Sequence, residues 1–131
     1  MLRHTLGKEE RIYLRSELQQ LFASRGSFVC YPFRVIYHQL PRQEEHLKMM
    51  VSVPKRRLKR AVDRNRIKRL TREAFRLHKK ELLDHLPAEH TLLIGYIYVG
   101  EGVKGHKSVT RGVTEALTKL SKLYDEGAQV D

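Results

Sequence analysis

Between Lys55 and Lys80 the chain concentrates thirteen of its 26 basic side chains against two acids, Asp63 and Glu73. Guanidinium and ammonium groups crowded into one segment do one kind of chemistry well. They hold a run of phosphates, because several condensed counterions are released together. The rest of the chain carries thirteen basic and thirteen acidic groups, so the formal charge of +11 is a local feature on a balanced sequence. A face kept only for solvation would mix both signs. The pattern disfavours a small-metabolite enzyme and favours a polyanionic partner.

Other residue types that could do chemistry are scattered. His4, His38, His46, His78, His85, His90 and His106 stand at no metal-ligand spacing with each other or with Cys30, and His85 and His90 flank Pro87 in a turn. Gly100-Glu101-Gly102-Val103-Lys104-Gly105 has the glycine spacing of a dinucleotide loop. The βαβ unit and the acid about 20 positions on that such a site needs are weak or missing, so it reads as a mobile loop. No nucleophile elbow or zinc-protease motif occurs. No catalytic residue and no metal site are therefore expected in this chain. The single cysteine excludes an internal disulfide and fits a reducing compartment. Cys30 itself reads as a packed strand residue. No apolar run approaches the roughly 18 residues of a membrane span, and Met1-Leu2-Arg3-His4 opens no signal peptide. A cytoplasmic location is expected.

The elements that must position the basic segment follow from periodicity. With 131 residues, 40% of them apolar, the chain makes one domain over 1–131, with its core at about 9–124 and flexible ends. Ser16 and Gln19 suggest a capping box on a short helix through Leu18, Leu21 and Phe22, ended by Gly26. Phe28 to Leu40 is strand, broken near Pro32. Leu47 to Val53 is a second strand, and the short link between the two predicts an antiparallel hairpin. A long helix runs from about Val62 to His85, capped by Asp63, with Ile67, Leu70, Ala74 and Leu77 on one face. Lys68, Arg69, Arg72, Arg76, Lys79 and Lys80 fill the opposite arc. Phe75, Leu77 and Leu82 are expected in the core. Thr91 to Val99 is apolar on both faces, as a central strand should be. Val109, Val113, Leu117 and Leu120 define a last amphipathic helix, and 125–131 reads as a frayed tail.

The segment from Lys55 to Arg76 carries a more specific signal. Arg64-Asn65-Arg66 followed by Ile67-Lys68-Arg69-Leu70 and Arg72-Glu73-Ala74-Phe75-Arg76 strongly resembles the signature of the protein subunit of bacterial ribonuclease P. Arg11-Ile12, Glu17-Leu18, Phe22, Arg34-Val35-Ile36-Tyr37 and Val51-Ser52-Val53-Pro54-Lys55-Arg56 resemble that family's preceding segments, so about 9–124 is covered. Leu18 stands where the family commonly has Phe. Pro54 replaces a small or polar residue.

The resemblance implies an α+β fold. It would be an α/β sandwich of a four-stranded sheet and three helices with a left-handed βαβ crossover, like the second domain of ribosomal protein S5. General rules would have given the right-handed form. The resemblance also implies a protein that assists removal of the 5′ leader from precursor tRNA. Catalysis would belong to a partner RNA, the ribonuclease P RNA, with Mg²⁺ at the RNA active site and no cofactor on the protein alone.

By similarity Leu18 and Phe22 wall a leader-binding cleft with Val35, Tyr37 and Ser52, and Lys55 and Arg56 sit at its end. Strand parity is read with Phe33, Val35 and Tyr37 on the cleft face, together with Met50 and Ser52. Ile36, Val51 and Val53 then point to the core. Arg60, Arg64, Asn65, Arg66, Lys68, Arg69 and Arg72 are the candidates for the catalytic RNA, since guanidinium forks suit phosphate oxygens and stack on splayed bases. Asn65 could instead bond backbone locally. Three rivals remain open: a generic ribosomal RNA-binding protein, a DNA-binding regulator with a helix in the major groove, and a stand-alone nuclease. The last would need clustered carboxylates for metal ions.

Overall fold

The computed structural model describes Arg11, Ile12 and residues 14–125, so the expectations for the first ten residues and for the tail after Asp125 lie outside the described residues. The elements are α1 (Arg15–Phe22), β1 (Gly26–Cys30), β2 (Phe33–Pro41), β3 (Leu47–Ser52), α2 (Ala61–His78), α3 (Lys80–Leu83), β4 (His90–Tyr98) and α4 (His106–Asp125). They form one mixed sheet in the order β1-β2-β4-β3. β4 is central, as its two apolar faces require, pairing antiparallel with β2 and parallel with β3.

This pairing overturns the expected hairpin. β2 and β3 are not neighbours, because β4 lies between them, and the hairpin is β1 with β2. Parallel neighbours need a long crossover, and α2 and α3 supply it between β3 and β4.

The two faces of the sheet are covered unequally. One carries α2 and α4 over the main core, where Phe33 lies edge-on to Tyr96 at 5.5 Å and to Tyr98 at 6.0 Å. The other carries, among the described residues, only α1, over a small cluster of Ile12, Leu21, Ile36 and Leu93.

Among the described residues the helices number four rather than three, because the long helix pauses at Lys79, whose amide still bonds the Phe75 carbonyl at 2.8 Å. Phe75 and Leu82 are buried, but Leu77 is 46% exposed and does not belong to the core. The buried stripe of α2 is Ile67, Thr71, Ala74 and Phe75. Neither expected cap is used. Leu14 and Arg60 precede α1 and α2 with extended backbone and no side-chain bond, and Asp63 sits in the first turn, where its charge suits the helix dipole. Ala23 ends α1, and Gly26 begins β1.

Candidate nucleic-acid interface

Strand register places Ser52, Ile97, Arg34 and Val29 side by side across all four strands. Their parity puts them on the face that carries α1. The row one step along, Met50, Gly95 and Ile36, lies beneath α1. Gly95 is required there: a Cβ would meet Ile36 at 2.8 Å and Leu21 at 3.1 Å. Among the described residues nothing covers the row from Ser52 to Val29. Arg34 is exposed, Val29 is 64% exposed, and Ser52 and Ile97 are half-buried. With strands about 4.8 Å apart the row is an open strip roughly 14 Å long, with two apolar side chains, a hydroxyl and one cation.

α1 forms the wall of this strip. It crosses the strands, with Glu17 over Lys48 of β3 and the hydroxyl of Ser24, just past its end, donating to the Tyr37 carbonyl of β2 at 2.5 Å. Glu17 and Leu21 point down and are buried. Leu14, Leu18 and Phe22 follow at i, i+4 and i+8 along one stripe. Leu18 packs with Met50 and Ile97 on the small cluster, whereas Phe22 stands 55% exposed. An exposed phenyl beside an open apolar strip is a stacking surface for an unpaired base.

At the β3 edge the strip opens into a hollow of about 280 Å³ between α1 and α2, lined by Arg11, Ile12, Leu18, Met50 and Arg72 among others. Arg11 reaches this place through a parallel bridge to Met49, with the Ile12 amide donating to the Met49 carbonyl at 2.9 Å. Burial, and after it the charge of Arg11, push Arg72 below the usual arginine range. Two cations facing one hollow, with no carboxylate in its lining among the described residues, make a seat for an anion.

At 100° per residue Lys68, Arg72, Asn65, Arg76 and Arg69 share an arc of about 100° on the flank of α2 that carries Arg72. Arg66 lies about 120° round from Arg72, toward Leu70 and Leu77. The sequence candidates therefore divide between two sides of the helix. Arg64 has a further role, donating from one guanidinium nitrogen to the carbonyls of Leu58 at 2.9 Å and Lys59 at 2.8 Å. It staples the loop that leads into α2. Arg60, Lys55 and Arg56 are exposed in that loop, and the latter two follow Ser52 by three and four residues.

Two of the expected cleft residues are elsewhere. Val35 is fully buried in the main core, and Tyr37 packs beside Phe28 on that same face, with ring centroids 5.7 Å apart. Phe33 is buried with them. The parity read for β3 holds, since Met50 lies under α1 while Val51 and Val53 face the main core. The parity read for β2 is inverted, because Ile36, across Gly95 from Met50, shares the α1 face. The residues that sequence reasoning missed are Arg11, Arg34, Ile97 and Val29. Arg34 had a signal: it is the charged residue within an otherwise apolar stretch of β2.

The glycine-rich loop is not the free segment its composition suggested. The Tyr98 hydroxyl donates to the Gly102 carbonyl at 2.5 Å and accepts from the Lys104 amide at 3.1 Å, and the Glu101 amide donates to the Tyr31 hydroxyl at 3.2 Å. Gly102, at φ 68°, supplies the left-handed turn. Burial pushes the Cys30 thiol up, as suits a packed strand residue. Among the described residues no group of three or more His, Cys, Asp or Glu side chains could hold a metal ion.

A family model described as Ribonuclease P matches residues 6–120. The chain belongs to the ribonuclease P protein family. A ribonuclease P protein component of Porphyromonas gingivalis is 38% identical over 118 residues, covering 88% of this chain and 86% of the relative. The ribonuclease P protein of Staphylococcus aureus superposes with a TM-score of 0.61 at 22% identity, over 88% of this chain and 97% of that one. A mutant form of that protein gives 0.59 at 27% identity over 90% of each chain. Ribonuclease P protein components are parts of an endoribonuclease that processes tRNA, and their partner in the holoenzyme is RNA. No described helix is long and apolar enough to cross a membrane.

Proposed function

We propose that this protein binds the ribonuclease P RNA through the basic flank of α2 and the loop before it, and that it holds the 5′ leader of precursor tRNA along the open strip. The observation that carries the reading is the row Ser52–Ile97–Arg34–Val29, walled by Leu18 and Phe22 and opening at the β3 edge onto the Arg11–Arg72 hollow. A single strand needs apolar area for base faces and cations for its phosphates, side by side. The strip and hollow offer both in one line. Arg60, Asn65, Lys68 and Arg69 then remain for the catalytic RNA, with Arg64 holding their loop. Lys55 and Arg56 continue the cation line beyond Ser52.

In this reading the protein positions and the RNA cleaves. Mg²⁺ supplies its chemistry at the RNA active site, held by RNA rather than by this chain. The protein's residues bind the leader, orient the substrate and add phosphate contacts. The holoenzyme works in the cytoplasm with precursor tRNA as substrate.

The test is Arg34→Ala in reconstituted holoenzyme, binding precursor and mature tRNA across a salt series. Arg34 is exposed, so the fold should be unaffected. Affinity for the precursor is expected to fall, with the salt slope reduced by about 0.7 for a single-strand contact. Mature tRNA is expected to bind as before. Equal effects on both would place the leader elsewhere.

A further inference from the structure

α1 has little to hold it in place. It is eight residues long and has no side-chain cap at its start, and Leu21 is its one apolar residue that is fully buried. A free helix of this length does not form in water. Beneath it lies a charged contact of unusual kind for so small a domain. Lys48 Nζ donates to both oxygens of Glu17, at 3.0 and 3.1 Å, and to Gln43 Oε1 at 3.3 Å. The side chains of Lys48 and Glu17 are only 10% and 6% exposed.

The contact continues into the sheet. The Gln43 amide donates to the Thr91 hydroxyl at 2.8 Å, and that hydroxyl donates to the Glu45 carbonyl at 2.8 Å. Thr91 is fully buried at the start of β4. A line of hydrogen bonds therefore runs from α1 through β3 and the β2–β3 connection to the central strand.

We infer that Glu17 and Lys48 are positioning residues, which fix the seat of α1 so that Leu18 and Phe22 stand against the strip and the holoenzyme discriminates precursor from mature tRNA. The inference rests on the leader reading above. Its physical basis is the difference between apolar and ionic contacts. Leu21 and Leu18 hold α1 down and the Ser24 hydroxyl ties its far end to β2, but apolar burial is non-directional and leaves the roll of the helix and its place over β3 unset. A carboxylate whose two oxygens share one buried ammonium fixes both translation and rotation. A buried ion pair is a poor device for stability, because an apolar pair of similar volume is often as stable or more so. A device for orientation is what remains.

That contrast supplies the test. Glu17→Gln, Lys48→Met and the apolar pair Glu17→Leu/Lys48→Met are compared in reconstituted holoenzyme. Three quantities are measured: melting temperature, affinity for catalytic RNA, and the ratio of precursor to mature tRNA affinity. The single variants are expected to melt lower, each leaving a buried partner unpaired. The apolar pair is expected to melt at or above wild type. All three are expected to lose about fivefold or more of the precursor preference, the lower end of one lost base stack. Affinity for catalytic RNA is expected to stay within about twofold, because α2 is untouched. If the apolar pair restores both melting temperature and preference, the ion pair is only structural and the inference is overturned. Preference kept in the single variants overturns it as well. Phe22→Ala serves as the reference. If it leaves the preference unchanged, the leader reading fails, and the pair has nothing to position.

Discussion

Arg64 and Arg69 belong to the same signature and carry the same charge, yet the structure gives them different work. Arg69 is exposed on the flank of α2, while Arg64 is half-buried and bonded to the Leu58 and Lys59 carbonyls. Removing Arg64 breaks two hydrogen bonds from a charged donor. Such bonds are worth about 1.5–3 kcal/mol each, and partial exposure brings the pair to roughly 2 kcal/mol together. In a domain of this size that lowers the melting temperature by roughly 6–12 °C. Arg64→Ala is therefore expected to melt well below wild type. It should also weaken RNA binding by more than one phosphate contact, since Lys55 to Arg60 lose their anchor. Arg69→Ala is expected to melt within about 0.5 kcal/mol of wild type and to reduce the salt slope by about 0.7–0.9. Arg64→Lys keeps the charge without the planar fork, so it should recover little of the melting temperature and little of the salt slope, because the loop stays unanchored. The assays are a melt followed by circular dichroism and filter binding to catalytic RNA in a salt series. Identical melting of Arg64→Ala and wild type would show that the two carbonyl contacts carry no weight.

Gly95→Ala should push a methyl into Ile36, Leu21 and Met50, costing about 1–3 kcal/mol and reducing amide protection in α1, measured by hydrogen exchange. Tyr96 is fully buried and its hydroxyl has no partner among the described residues, so Tyr96→Phe is expected to leave the melting temperature unchanged or raise it. Burial first, and Tyr37 after it, push the Tyr124 phenol up from 10.0 to about 12. The fold therefore favours the protonated phenol, and that contribution is complete below pH 10 and lost as pH rises through about 12. A wild-type melt series between these values should fall more steeply than that of Tyr124→Phe.

Much of the fold was legible because its causes are local. The basic segment, the central β4 and the helical period of α4 all follow from residues within one element. Strand pairing was not legible, because it depends on what inserts between two strands. The link between β2 and β3 is short enough for a hairpin, and the apolar pattern of both would suit one. The deciding fact is that β4, buried on both faces, binds an edge from each of them. Helix starts were misread for a related reason. Ser16 and Asp63 have cap chemistry, but neither α1 nor α2 uses a side-chain cap.

The inverted parity of β2 follows from a physical point about where aromatic rings go. The family resemblance gives Val35 and Tyr37 to the cleft, and strand parity is read to match. In a two-layered domain the face with more helices gains more from burying rings, and Phe33, Tyr96, Tyr98 and Phe75 all collect beneath α2 and α4. Val35 and Tyr37 alternate with Arg34 and Ile36 and share the parity of Phe33, so they are carried to that face together. The opposite face keeps smaller apolar side chains and a cation, and its exposed ring, Phe22, comes from a helix rather than a strand. Two rules then separate a binding strip from a core when both are apolar. The strip is the parity that contains the charged residue of the apolar stretch, here Arg34. It also lies on the face whose covering helix is too short to span the strands, here the eight residues of α1. The first rule can be applied to a sequence. The second needs the register, because only the alignment of Ser52, Ile97, Arg34 and Val29 shows that the uncovered positions form one continuous row.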